Sequence, residues 1–492
     1  MTLPAPVPDL APHVVADPAE ARHRAADGQH VLVVACDADA LPRSEWMLTL
    51  RDAVAGARLD DEFPVLGEFV ELPAPHGSEV LASVSVAHQH RPAIVRERIG
   101  DGSVTTVGLR GEHVLAHPTV ARLLSRVVRG AVGEQRELGV GVVGYGPFGG
   151  MGTLHGLAAT ETAGLRLAAA ADTARERLDA AVGDFPGINL HDSAESLADD
   201  PDVDVAIVAT PPSVHADLAR KLLQAGVHVV LEKPMCLTVA DADGLLALAE
   251  QQDRTLTVHQ SRRWDRDFLA LRRVVERGDL GEVFNVETFV GTYEHPCRAW
   301  HSDRDISGGA VYDWGSHHVD WIVQLYGSAP ANVVTSAHTR RWHDSTNVDQ
   351  LHVWMRWDDG REATFRQSDL AALRRPKFYV QGSEGTLQGF YRELHHENIV
   401  PGRGHVDHLH HHAEAPVDLV LARHESGYGV TETTLPPAPH PGWGFHRNLA
   451  DHLLLGEPLA VPPRESRDVV AVLEAAQRSM LAGGTVEATE LA

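Results

Sequence analysis

Cysteine is scarce. The chain of 492 residues holds three, Cys36, Cys236 and Cys297, far apart and without a CxxC pair. That excludes a disulfide-stapled framework and a cysteine-rich zinc module, and it points to a reducing, cytoplasmic setting. Net positive charge is missing as well. Lys and Arg number 43 against 68 Asp and Glu, a formal charge of −25. So acidic a chain suits neither a nucleic-acid backbone nor an anionic membrane, and an anionic substrate or cofactor would need local positive groups. No stretch approaches the roughly 20 apolar residues of a membrane-spanning helix. The first residues, MTLPAPVPDLAPHVVADPAE, have neither a basic n-region nor an apolar core, so no secretory signal is expected. Their Pro/Ala character predicts a flexible tail over 1–25. Internal repeats are lacking too.

What is present is 43% apolar residues over a length that exceeds one ordinary core, which predicts several domains. Residues 26–135 read as an extra α/β segment. In it HVLVVACD (30–37) is a strand, SEWMLTLRDAVAGA (44–57) a helix, and PTVARLLSRVVRGAV (118–132) a second helix after several short strands. GEQREL (133–138) is a linker. From 136 to 262, strand-like runs such as LRLAAAAD, DVAIVAT and TLTVHQ alternate with helical ones, the pattern of a parallel sheet covered on both faces. From 263 to 492 a helix (268–277) is followed by runs of period two, broken by turns such as Asp358-Asp359-Gly360. They predict an α+β domain with a largely antiparallel sheet that closes on a C-terminal helix.

GVVGYGPFGG sets Gly144, Gly146 and Gly149 as GxGxxG, directly after an apolar strand and before a helical pattern. Gly144 permits the tight turn, Gly146 lets the backbone approach a pyrophosphate, and Gly149 allows close helix–strand packing, with Phe148 inside the loop. The helix N-terminus then offers its positive end to the phosphates, so no lysine is needed. Asp172 ends the next strand, where a carboxylate accepts ribose hydroxyls. It lies farther on than the about 20 residues of the usual fingerprint, which implies a longer helix–strand connection. Asp172 favours NAD over NADP. Arg175 and Arg177 nearby keep NADP open as the alternative.

ATPPSVH (209–215) and LEKPMCLT (231–238) follow the next two strands and line the same crevice, which adds Thr210, Pro211, His215, Glu232 and Lys233 to the cofactor-binding set. A lysine at the end of a buried strand needs a task or a partner. Near a nicotinamide, Lys233 can hydrogen-bond a substrate hydroxyl. SGGAVYDWGSHHVD (307–320) reads as one helix with two faces. Val311, Trp314, His318, Trp321, Ile322 and Leu325 form the packing face. Asp313, His317, Asp320 and Gln324 form the other, with Asp313 and His317 at i and i+4, in position to touch. Trp264, Tyr293, His295 and Trp300 are candidate substrate-pocket walls. The histidine run GHVDHLHHH (404–412), near His395 and His396, reads as an exposed loop without regular ligand spacing, so no metal site is assigned.

GxGxxG, EKP and GGAVYDWGSHHVD, in that order over roughly 137–485, resemble the Gfo/Idh/MocA family of oxidoreductases. The resemblance implies a Rossmann domain followed by an α+β domain, and a catalytic group of Lys233, Asp313 and His317. It further implies NAD or NADP as cofactor, a small-molecule sugar or cyclitol as substrate, and a homo-oligomer, dimer or tetramer. SRRWDRDF (261–268) is similar to the subgroup of scyllo-inositol dehydrogenases. The retained lysine implies ordinary dehydrogenation. Two other readings stay open: an enzyme that keeps its NAD and uses transient oxidation to drive elimination, and a non-catalytic dinucleotide-binding sensor. Ahead of the glycine loop, RPAIVRERIGDGSVTTVGLRGEHVLAHPTVARLLSRVV resembles the end of trehalose-utilisation (ThuA-like) domains, which have a glutamine-amidotransferase-like α/β fold. No nucleophile elbow surrounds Cys36, so no catalysis is expected there.

Overall fold

The computed structural model describes residues 10–35, 40–50, 62–87, 89–111, 114, 118–128, 137–146, 150–296, 300–391, 394–400, 404–410, 417–438 and 442–491. The chain divides into two compact units: Met1–Gly139 with Gly156–Leu167 and His446–Pro458, and Val140–His155 with Ala168–Phe445 and Leu459–Ala492. Phe148, Gly149, Cys36 and Cys297 lie outside the described residues.

The first unit is built on a seven-stranded sheet. His30–Val34 pairs in parallel with Gly102–Val107, and the other neighbours are antiparallel. Helix Pro118–Val128 brings Val120, Leu123, Leu124 and Val127, at helical spacing, onto a core with Leu48, Leu50, Val65 and Leu81. The expected helix at 44–57 is instead a strand, Leu41–Leu50. Trp46, Leu48 and Leu50 alternate toward the core, and pairing on both sides rewards that period of two. Residues 51–57 lie outside the described set. With one parallel pair in seven strands, this sheet gives the trehalose-utilisation resemblance no support.

The second unit carries two sheets. Six strands lie in the order Asn189–His191, Leu165–Ala171, Leu138–Val143, Val205–Val208, His228–Leu231, Leu256–Val258, with parallel pairing. Strand order reverses between Leu138–Val143 and Val205–Val208, so ligands belong in the crevice at their carboxyl ends. The larger sheet has nine strands and is antiparallel except where Val283–Gly291 meets Glu362–Ser368. Helices Gly315–Tyr326 and Pro463–Leu481 supply Trp321, Ile322, Val472 and Leu473 to its core, against Val286, Val353, Phe365 and Phe378. The described part of the histidine run, 404–410, is a strand rather than a loop. Gly404–His410 pairs with Leu394–Val400 as a two-stranded antiparallel ribbon. Among the described residues, no helix is long and apolar enough to cross a membrane.

Candidate active site

The glycine loop fits a dinucleotide. Gly144 has φ +85°, and a Cβ there would lie 2.7 Å from Thr210 Cγ2 and 3.1 Å from the Ala209 backbone. Gly152, in the first turn of helix Met151–Glu161, lets that helix approach the loop closely: a Cβ there would sit 2.2 Å from the Tyr145 carbonyl oxygen. Gly149, expected to allow close helix–strand packing, lies outside the described residues. Thr210 Oγ1 is buried without a hydrogen-bond partner, an unmet polar atom beside the loop. Asp172 is 6% exposed at the end of its strand. It accepts from Gly146 N (3.1 Å) and Ala174 N (3.0 Å), with the Arg177 guanidinium at 3.4 Å.

Pro211 leads into a short turn, and His215 behind it is fully buried. The His215 ring spans two loops: Nε2 is 2.8 Å from the Thr210 carbonyl and Nδ1 2.9 Å from that of Pro234. Burial lowers the imidazole's pKa against the pull of those carbonyls. Glu232, expected among the cofactor contacts, is wedged between imidazoles. Its Oε1 accepts from His259 Nδ1 (2.7 Å) and His155 Nε2 (3.0 Å), and its Oε2 from Lys233 N (3.1 Å). Burial works to raise this carboxyl, but the two imidazoles hold it well below the usual range. Glu232 thus fixes the backbone from which Lys233 projects, and the Lys233–Pro234 peptide is cis.

The expected single helix over 307–320 comes in pieces: Arg304–Ser307, Ala310–Asp313 and Gly315–Tyr326. The break has a cause. The Asp313 carbonyl is taken by Ser316 Oγ (2.9 Å) and Lys233 Nζ (3.2 Å), so His317 N bonds back to Trp314 instead (3.1 Å). Lys233 Nζ also donates to Asp313 Oδ1 at 2.9 Å, which brings two of the three expected catalytic groups into direct contact. Burial would raise the Asp313 carboxyl, but the ammonium of Lys233, with His301 and Arg262, holds it below the usual value. His317 is 6% exposed. Burial first, then the charges of Lys233 and Arg262, push its pKa well down, so the imidazole is neutral. Its Nδ1 is buried without a hydrogen-bond partner. Asp313 therefore serves Lys233 rather than His317, contrary to the i, i+4 expectation.

Asp320 and Gln324 leave the site altogether. Asp320, 1% exposed, holds Arg263 in a two-pronged pair, with Nε–Oδ2 at 2.9 Å and Nη2–Oδ1 at 2.5 Å. Gln324 bonds Glu465. Asp320 and Gln324 are thus paired within the protein rather than turned to solvent.

Of the expected pocket walls, Trp264 packs edge-on to Phe445 and against Gly444, Tyr293 is half exposed, and His295 Nε2 bonds Asp344 Oδ1 (2.9 Å). Trp300 stacks on His301 with ring centroids 3.5 Å apart. Sequence reasoning missed His301, whose imidazole is within electrostatic reach of Asp313 and Lys233. It also missed Arg262, 5.1 Å over the Trp314 ring, and Asp369. Asp369 follows strand Glu362–Ser368, and no motif marks it. Burial first, then the charges of Asp349 and Asp313, raise its carboxyl to about 7, and its Oδ2 has no hydrogen-bond partner.

A carboxyl at 3.8 in the unfolded chain and about 7 in the fold binds its proton more tightly when folded. The stability it contributes is whole below 3.8 and is lost as pH rises through 7. Asp369→Asn is therefore expected to raise Tm more at pH about 8 than at about 5. Thermal melts with equal shifts at both values would show that Asp369 ionises normally.

Residues 138–260 match the family model described as oxidoreductase family, NAD-binding Rossmann fold, and residues 268–388 match the GFO/IDH/MocA C-terminal domain. The uncharacterized oxidoreductase YdgJ of Escherichia coli (strain K12) is 30% identical over 264 residues, 54% of this chain and 74% of that protein. The chain belongs to the Gfo/Idh/MocA family of oxidoreductases. Another family relative, scyllo-inositol 2-dehydrogenase (NADP(+)) IolW of Bacillus subtilis (strain 168), is 26% identical over 298 residues, 60% of this chain and 82% of that one. The crystal structure of an NAD-binding protein from Listeria innocua superposes with a TM-score of 0.61 at 26% identity, over 72% of this chain and 98% of that chain. As a Gfo/Idh/MocA oxidoreductase with a Rossmann domain, the chain is built for a nicotinamide dinucleotide.

Proposed function

We propose that this Gfo/Idh/MocA protein is a dehydrogenase that moves hydride between a secondary hydroxyl of a sugar or cyclitol and NAD. The observation that carries the reading is the Lys233–Asp313 contact at 2.9 Å beside a buried, neutral His317. Oxidation of an alcohol removes a hydride from carbon and a proton from oxygen. The nicotinamide, when bound, supplies the hydride-accepting carbon. Lys233, held by Asp313, donates a hydrogen bond to the reacting oxygen, and His317 takes its proton. Positioning of the two reactants accounts for much of the rate. The relative IolW, named for scyllo-inositol, supports a ring-borne hydroxyl as the reacting group.

NAD rather than NADP follows from Asp172, whose buried carboxylate repels a 2′-phosphate. The dinucleotide domain at 136–262, the substrate domain at 263–492, a homo-oligomer and a reducing cytoplasm, in keeping with the buried free thiol of Cys236, belong to the same proposal.

Nicotinamide reduction followed by absorbance, with NAD and NADP against inositols and aldoses, tests it. Turnover of a ring polyol, faster with NAD, is the expected result. Cofactor that copurifies and never turns over would overturn it in favour of a retained-NAD enzyme.

A further inference from the structure

Three loops meet at one end of the nine-stranded sheet. Residues 292–296 follow strand Val283–Gly291, 339–349 follow Asn332–His338, and 369–377 follow Glu362–Ser368. They are sewn together by their backbones: Ala371 N donates to Thr292 O, Glu294 N to Asp369 O, and Asp369 N to Asp349 O. They are also tied to the catalytic helix. Asn347 Oδ1 accepts from Ala310 N (2.6 Å), the first residue of the turn that ends at Asp313, and Asn347 Nδ2 donates to the His301 carbonyl (3.1 Å). The loop 339–349 is therefore a rim of the Lys233–Asp313 site.

These loops carry Arg340, Arg341, Arg374 and Arg375, and among the described residues none of the four has a carboxylate within ion-pair distance. That is unlike the buried arginines of this chain, where Arg126, Arg263 and Arg467 all sit on carboxylates. Arg341, exposed, is held over aromatic faces instead, 5.7 Å from the Tyr293 ring and 4.9 Å from Trp342. Arg340 Nε donates to Gln350 Oε1 at 2.8 Å. Aromatic faces and an amide orient a guanidinium without neutralising it.

Three acidic groups nearby are engaged elsewhere, and Glu294 is exposed. Asp344 bonds His295. Asp349 accepts the backbone N–H groups of Arg340, Arg341 and Trp342 at 2.7–3.1 Å. Asp369 is held toward its neutral form by burial and by Asp349 and Asp313. In a chain of net charge −25, two oriented guanidiniums without a carboxylate partner, on the loop whose Asn347 bonds the turn that ends at Asp313, imply a negative ligand.

We infer that the substrate carries an anionic group, a carboxylate or a phosphate ester, and that Arg341 with Arg340 binds it at the rim of the Lys233–Asp313 site. This rests on the dehydrogenase reading above, and it narrows the substrate to sugar acids or sugar phosphates.

The test uses the full chain with its cofactor. Binding is measured by titration calorimetry, and turnover by nicotinamide reduction, for glucose, glucuronate and glucose 6-phosphate, and for myo-inositol and its 1-phosphate. The parent protein, Arg341→Gln and Arg341→Lys are compared. At least one anionic member is expected to bind tenfold or more tightly than its neutral counterpart, with the preference falling as salt rises. Arg341→Gln is expected to erase the preference, mainly through KM, at a cost of about tenfold or more. Arg341→Lys keeps part of it, since the charge remains and the planar fork is lost. The uronate and phosphate arms tell the two anions apart. Charge-selective binding without any turnover would keep the inference and remove the dehydrogenase reading. No charge preference in binding, whether both members of a pair bind alike or neither binds, overturns the inference whatever the turnover, as does a preference that Arg341→Gln leaves intact.

Discussion

Replacing Lys233 by methionine is expected to lower kcat/KM by on the order of 10³-fold, with the cofactor still bound. Two effects add. The reacting oxygen loses a charged donor aimed at it, a class of interaction worth about 10²–10³-fold. Asp313, lowered by the Lys233 ammonium 2.9 Å away, loses that partner, and burial then raises its carboxyl. The double variant Lys233→Met/Asp313→Asn separates them, since it removes the stranded carboxylate as well as the donor. Steady-state nicotinamide reduction reads the loss, and a fluorescence titration of dinucleotide binding shows whether the crevice survives. A variant that keeps a tenth or more of the parental rate would remove Lys233 from the chemistry. The pH profile adds a second readout. Because His317 is held neutral well below 6.5, proton acceptance by this ring places the acidic limb of kcat/KM well below that value.

Asp320→Ala is expected to cost stability rather than chemistry, by about 3–5 kcal/mol, because it leaves the buried Arg263 guanidinium without its main counter-charge. Arg263 is 4% exposed, and its remaining partners are Glu465 at 2.7 Å and the Ala460 carbonyl at 2.8 Å. Urea unfolding measures the loss. The paired replacement Arg263→Met with Asp320→Leu should recover much of it, since two apolar side chains carry no stranded charge. A fall in kcat for the folded Asp320→Ala protein, with unfolding unchanged, would return Asp320 to the reacting group. The two predictions together divide one short motif between function and fold.

That division was not legible in the sequence. Periodicity treats residues 307–320 as one helix, and one continuous helix would keep Asp313 and Asp320 on a common face. The interruption at Trp314, made by the bonds that the Asp313 carbonyl accepts from Ser316 and Lys233, lets the two aspartates serve different cations. The parallel sheet, the glycine loop and the strand-end Lys233 were legible because each is a local pattern with a local reason. The segment at 44–57 was not, since its apolar residues satisfy both a helical and an extended spacing, and pairing with strands 62–69 and 79–86 decides between them. Asp369, His301 and Arg341 gave no signal either. Their significance is that three loops distant in sequence share one end of a sheet, which single-chain spacing does not reveal.

The buried ring of His215 has a mechanical consequence. It spans the carbonyls of Thr210 and Pro234 and so links the two loops at its ends. One end lies beside the buried, unmatched hydroxyl of Thr210 at the glycine loop, and the other adjoins Lys233. A dinucleotide held beside Thr210 would bear on the loop that this ring ties to the one carrying Lys233. The expected kinetic pattern is ordered addition, cofactor first, and product-inhibition patterns check it.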